Sequence, residues 1–171
     1  MPDTENLQRH LTALEDALVG EFRAYQTLVA LTQDERQALL ANNLTTLQEV
    51  LAQKEALLGN LERLENARQT ALEAWASAAG IEARTLSDIL SSLEAASRER
   101  LKRLRDGILA LTAQMRELSQ GNRALADSAL EGVAAVHTFL LSLSQVTTGY
   151  QRPGMPPNVS PSIALAIEQR V

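Results

Sequence analysis

The sequence predicts an all-α fold: an antiparallel bundle of three long helices plus a short connecting helix, with coiled-coil-like packing and a Pro-rich C-terminal tail. Three observations predict it. Apolar residues make up 45% of the 171-residue chain but aromatics only 3%, so the apolar mass is almost entirely Leu and Ala. That is the composition of helices packed side by side, not of a sandwich or barrel. Leucines recur at gaps of three and four over long segments, the helical period. The period itself is broken, by contrast, at only a few places: Asn42–Asn43, Gly80 and the stretch after Gly149, which holds four of the five prolines.

The first helix has Asp3 and Thr4 as N-cap candidates and the stripe Leu7, Leu11, Leu14, Leu18, Tyr25, Leu28 and Leu39, widened by Phe22, Leu31 and Leu40. "ANNLTT" breaks it. Asn42 and Asn43 tolerate left-handed geometry, Thr45 or Thr46 can cap the next helix, and so short a loop predicts antiparallel neighbours. The second helix, about Thr45 to Ala79, carries Leu44, Leu47, Leu51, Lys54, Leu58, Leu61, Glu65, Arg68, Leu72 and Trp75 at heptad spacing, with Val50, Leu57 and Leu64 beside them. Gly80 ends it. A short piece comes next, capped by Thr85 or Ser87, with Ile89, Leu90 and Leu93 on its buried side. The last helix, roughly Ala95 to Gln145, has the seam Leu101, Leu104, Ile108, Leu111, Met115, Leu118, Asn122, Leu125, Ala129, Gly132, Val136, Phe139 and Leu143. It would extend on the order of 75 Å, against roughly 55 Å for each of the first two, so one of its ends should lack full partners. The expected division is a bundle over 1–148 and a flexible tail over 149–171. In the tail, Ile163, Leu165 and Ile167 read either as a short docking segment on a Pro-rich tether or as a plain terminus.

Charge and chemistry narrow the function. A net charge of −5 argues against a nucleic-acid binder. There is no cysteine, no signal pattern at the N-terminus and no run of eighteen uninterrupted apolar residues, so a soluble cytoplasmic protein is expected. His10 and His137 are the only histidines, and neither has a Glu three positions before it, as a di-metal helical site requires. With no Gly-rich phosphate loop, HExxH motif or nucleophile elbow, the sequence predicts no enzyme, metal or cofactor. The basic run Arg98, Arg100, Lys102, Arg103 and Arg105 reads as a solvated helix flank or as a contact for an acidic partner.

Two features point to interaction. Asn122 stands in the seam where a leucine is due, and Lys54 lies opposite Asp34 or Glu35 across the hairpin. Asn122, Lys54 and Glu35 are therefore candidates for setting helix register. Beyond them the seam thins to Ala129 and Gly132, while Leu125, Leu130, Val133, Val136, Phe139, Leu140, Leu141 and Leu143 form a broad apolar surface. With too few helices to cover it, that surface is expected to be a groove that accepts an amphipathic helix from another protein. A weakened seam would also make the last helix exchangeable.

"ERQALLANNLTTLQEVLAQKEALLGNLERLENAR" resembles the helical hairpin of FlgN-type proteins, the bacterial flagellar export chaperones. Glu35, Arg36, Leu39, Leu44, Leu47, Lys54, Leu57, Leu58, Leu61 and Arg68 occupy the matching positions. "ELSQGNRALADSALEGV" resembles the later Asn-containing stretch, although Ser119 stands where a first Asn often does, and "TGYQRPG" resembles the exit from the last helix. The resemblance implies a cytosolic chaperone. It would bind the C-terminal helices of hook–filament junction (hook-associated) proteins, prevent early assembly and deliver them to the type III export apparatus. The tail, read from its own residues, has three candidate partners: the client, its own groove or, by self-association, a neighbouring molecule. Two rivals remain: a structural coiled-coil protein that only oligomerises, and an amphipathic protein that coats granules or membranes.

Overall fold

The computed structural model describes residues 4–146, with side chains to 143. The expected boundary at 148/149, "TGYQRPG" and the tail residues Ile163, Leu165 and Ile167 lie outside the described residues. All elements are helices: α1 (Thr4–Leu40), α2 (Leu44–Ala79), α3 (Leu86–Leu90) and α4 (Ala95–Val146). The chain divides into two units, Met1–Ser128 and Ala129–Val171, so α4 contributes to both.

The breaks obey local backbone chemistry. Asn42 adopts φ 51, the left-handed region that Asn enters more readily than other non-Gly residues. Asn43, extended at φ −97, accepts from Thr46 N at 3.1 Å and is the N-cap of α2. The cap is thus Asn43 rather than Thr45 or Thr46, because Thr46 supplies the amide that needs capping. Gly80 at φ 69 closes α2, and Ile81 N donates back to Ala76 O at 3.0 Å. Thr85, not Ser87, precedes α3. There the Asp88 carboxylate accepts from the backbone N–H of Arg84 and Thr85, which holds its pKa below the ordinary range.

Side-chain pairs fix the helix directions within the first unit. Between α1 and α2, Glu35–Lys54, Tyr25–Glu65 and Glu21–Arg68 are separated by 19, 40 and 47 residues. A separation that widens away from the turn means antiparallel helices. Between α1 and α4, Glu15–Arg100, Glu35–Asn122 and Thr32–Asn122 are separated by 85, 87 and 90 residues. A nearly constant separation means that α4 runs parallel to α1. The segment around α3 makes the return possible: it carries the chain from the end of α2 to the start of α4.

The core is concentrated at this α3 end. Leu11, Leu14 and Leu18 of α1 pack with Ala71, Leu72 and Trp75 of α2, and with Leu86, Ile89, Leu93 and Leu101. A smaller cluster of Ala24, Leu28 and Leu61 lies further along, with Leu57, Leu64 and Met115 against it. On α2 the packing face differs from the strict heptad: Val50 and Leu61 are buried, whereas Leu44, Leu51 and Leu58 are 67%, 45% and 53% exposed. In a three-helix arrangement a helix buries only the side that meets its two neighbours, so part of a wide apolar stripe stays in solvent.

The basic run works largely inside the molecule. Arg98 donates to the carbonyls of Leu90, Ser91 and Leu93, satisfying the orphan acceptors at the end of α3. Arg100 reaches Glu15 at 3.0 Å, and Arg105 bonds Asp106 and Ser87. Gly107 has a packing reason as well: a Cβ there would lie 2.7 Å from Phe22 Cε2, so the glycine lets α4 approach α1.

Candidate functional site

The seam Asn is the meeting point of three helices. Asn122 is 3% exposed, and its Nδ2 donates to Thr32 O at 2.8 Å and to Glu35 Oε2 at 2.7 Å. The same Glu35 oxygen accepts from Lys54 Nζ at 2.8 Å. A chain of polar contacts therefore runs from Lys54 on α2 through Glu35 on α1 to Asn122 on α4. It is directional and short, so sliding α4 by one turn would strand a buried amide. A Cβ at Gly121 beside it would meet only the tip of the flexible Arg36 side chain, 2.8 Å from Nη1. At this point the seam carries directional hydrogen bonds between α4 and α1 in place of apolar packing.

A second polar station lies nearer the core. Buried Glu21 pairs with Arg68 at 2.8 Å, and the Tyr25 hydroxyl donates to Glu65 at 3.3 Å. Burial raises the Glu21 carboxyl above the ordinary range, and the Arg68 guanidinium only partly lowers it again. Burial and the Glu65 charge likewise raise the Tyr25 phenol. Sequence reading places Glu65 and Arg68 in the heptad of the second helix but does not find their partners. Equal steps from the Asn42–Asn43 turn would point to Gly20 and Ala17 instead, about one helical turn from Tyr25 and Glu21, so counting alone does not find them.

Beyond these stations the hairpin runs out. Leu39 at the end of α1 shares a pocket wall with Ala126, and Leu125 is half-buried. In the second unit the described residues form one helix. Leu130, Val133, Val136, Phe139, Leu140, Leu141 and Leu143 are each between 48% and 68% exposed. Val133, Val136, Leu140 and Leu143 make one stripe, at gaps of three and four. Phe139 flanks it on one side, Leu130 and Leu141 on the other, and Glu131, Thr138 and Ser142 lie opposite. On a single helix these residues form a ridge rather than a groove. Gly132 sits within it in open space.

This ridge alters one expectation. Although no apolar run is uninterrupted, an eighteen-residue window within Ala95–Leu143 has a mean hydropathy of 1.3 and is wholly unburied. By length and composition alone, that helix is sufficient to cross a membrane. His10 is half-buried on α1 and His137 exposed on α4, and among the described residues no His, Asp and Glu side chains cluster as metal ligands.

The first unit is a scaffold with a built core, and the second presents an apolar helical ridge, a binding geometry. The family described as FlgN protein matches residues 1–158, which takes in both the hairpin and the ridge. The chain belongs to the FlgN family. That is the family of flagellar export chaperones, and an export chaperone role follows from membership. No curated protein and no solved structure matches the chain.

Proposed function

We propose that this FlgN-family protein works in the cytosol as a type III export chaperone for hook–filament junction proteins, and that the ridge from Leu130 to Leu143 binds their C-terminal amphipathic helices. The observation that carries the reading is the row of large apolar side chains at helical spacing, all about half or more exposed. A soluble protein seldom leaves such a patch open unless it is an interaction site. The client segment has the complementary need, since its own apolar stripe drives assembly and must be covered until export. Each Leu, Val or Phe newly covered contributes on the order of 1 kcal/mol, so a handful suffices for a bound yet releasable client.

Leu125 would extend the contact toward the bundle. The Lys54–Glu35–Asn122 chain would hold α4 in register against α1 and α2. Ile163, Leu165 and Ile167 are proposed as a second apolar contact, made with client or with another copy. No catalytic, metal or cofactor role is assigned.

The test uses the full chain and fluorescent peptides from the C-termini of the junction proteins of the same bacterium. The double variant Val136→Glu/Leu140→Glu should weaken binding at least about a hundredfold, since two charges would be buried without partners, and leave the melting temperature of the bundle unchanged. Undiminished binding overturns the reading. The high mean hydropathy of the α4 window favours one alternative, a membrane-facing ridge; flotation with anionic liposomes in place of peptide binding would establish it. Concentration-dependent self-association without peptide binding would establish the coiled-coil alternative instead.

A further inference from the structure

The face of α2 that looks toward α4 is unfilled. α2 packs closely along α1, whereas the backbone of α4 stays further from both. Leu51 of α2 lines a pocket of about 270 Å³ together with Ser119, Arg123 and Ala126 of α4, with Leu39 of α1 alongside. Leu44 and Leu58 stand one heptad to either side of Leu51, and the three are 67%, 53% and 45% exposed in that order. The α4 wall is made of small side chains at the same spacing, Thr112, Ser119 and Ala126, each half-buried. Leucines on one wall and small residues on the other leave a groove where a seam would close.

The rims of this groove carry opposite charge at matched levels. Lys54 and Asn122 both bond Glu35 Oε2, so position 54 of α2 and position 122 of α4 lie level with each other. α4 runs parallel to α1 and therefore antiparallel to α2. Counting from that level sets Glu55 within about one turn of Arg123, and Glu62 within about one turn of Arg116. All four are exposed, the two acids one heptad apart on the outer edge of α2 and the two arginines one heptad apart on that of α4. Arg123 makes only a 3.9 Å contact with Asp127 on its own helix. Among the described residues no ion pair joins α2 to α4. An acidic and a basic rim thus flank the leucines without meeting.

We propose that this groove receives an amphipathic helix of a partner protein, one with Lys or Arg along one flank of its apolar stripe and Asp or Glu along the other. The stripe would cover Leu44, Leu51 and Leu58. The basic flank would face Glu55 and Glu62, and the acidic flank Arg116 and Arg123. A fourth helix so placed completes a four-helix bundle. Charge selects the partner: a helix with one sign on both flanks meets like charge at one rim. The split also fixes the direction in which the partner lies, since turning a helix end for end exchanges its flanks. The site is separate from the ridge, and it rests on the chaperone reading only in taking the partner to be a helix.

The probes are two designed helical peptides with the same apolar stripe, composition and net charge. In one, basic and acidic residues occupy opposite flanks; in the other, both signs alternate along each flank. Titrated calorimetrically into the full chain, the split peptide should bind about tenfold tighter, the summed scale of four exposed ion pairs. High salt should shrink that advantage. Arg116→Glu/Arg123→Glu, which makes both rims acidic, should abolish it. Glu55→Gln/Glu62→Gln, which neutralises one rim without adding charge, should reduce it to about threefold. Leu51→Glu should weaken both peptides at least about tenfold. Thermal melts of the variants establish that the bundle is folded. Equal affinities for the wild type, no binding of either peptide, or a preference that survives both rim variants overturns the proposal. A split preference retained by Val136→Glu/Leu140→Glu, with junction-protein binding also intact, leaves the groove standing and removes the ridge. Loss of junction-protein binding in that variant, with equal affinities of the wild type for the two designed peptides, does the reverse.

Discussion

Two stretches of apolar helix in this protein have similar side chains and opposite fates. Around Leu14, Leu72 and Leu101, leucines are wholly buried because α1, α2, the α3 segment and the start of α4 converge there. From Leu130 to Leu143 the leucines, valines and phenylalanine are exposed. Side-chain chemistry does not separate the two regions; the number of neighbouring helices does. An apolar stripe is a core where other helices meet it and stays exposed where they do not. Asn122 is part of neither, since its amide hydrogen-bonds Thr32 O and a Glu35 carboxylate that also pairs with Lys54.

The sharpest way to break that comparison is to truncate one leucine in each region. Leu72→Ala should lower bundle stability by about 2–5 kcal/mol in urea unfolding, because it opens a cavity in a filled core. Leu140→Ala should change stability by less than about 0.5 kcal/mol while weakening peptide binding, and equal losses at the two sites would erase the distinction. The Asn122 contacts come next. Asn122→Asp would set a carboxylate against Thr32 O and the Glu35 carboxylate, acceptors facing acceptors, and should cost about 3 kcal/mol at neutral pH, seen in the same unfolding assay.

Glycines sharpen the comparison on a smaller scale. Gly132→Ala meets open space and should raise the stability of that helical segment by about 0.5–1 kcal/mol, read by hydrogen exchange. Gly107→Ala should lose that gain to the Phe22 ring 2.7 Å away and come out destabilising. The smallest effect concerns pH. Burial raises the folded-state pKa of Glu21, so the protonated form favours the native bundle. That contribution is full below the ordinary glutamate pKa and is lost as pH rises through the elevated folded value. Stability of the wild type relative to Glu21→Gln should therefore fall across that window, and a flat or rising difference would contradict the assignment.

Much of the fold was legible because helices announce themselves locally. The Leu period, Asn42–Asn43, Gly80 and the Thr85 cap are short-range signals, and short-range physics places them. Lys54 and Glu35 were legible as opposite charges near a tight turn, although strict equal counting from Asn42–Asn43 reaches Leu31, one helical turn away. The strict heptad on α2 misled. It predicts which leucines align with one another, and not which side of the helix meets a neighbour, so Leu44, Leu51 and Leu58 looked like core and are surface. The basic run was ambiguous for a similar reason: Arg98 reaches back to carbonyls of α3 across a bend that periodicity does not describe. The ridge was legible as apolar surplus, and its residues could be named, but the Glu21–Arg68 pair and the groove between α2 and α4 were not.

By itself the amino-acid order determined the helices, their breaks and the surplus of apolar side chains in α4, since capping, left-handed turns and the 3.6-residue period act over a few neighbours. Only the tertiary arrangement decided which stripe became core, that Asn122 joins three helices, and that the hairpin ends level with Ala126. Those outcomes depend on which distant segments come to lie side by side, and burial and hydrogen-bond satisfaction exist only once they do.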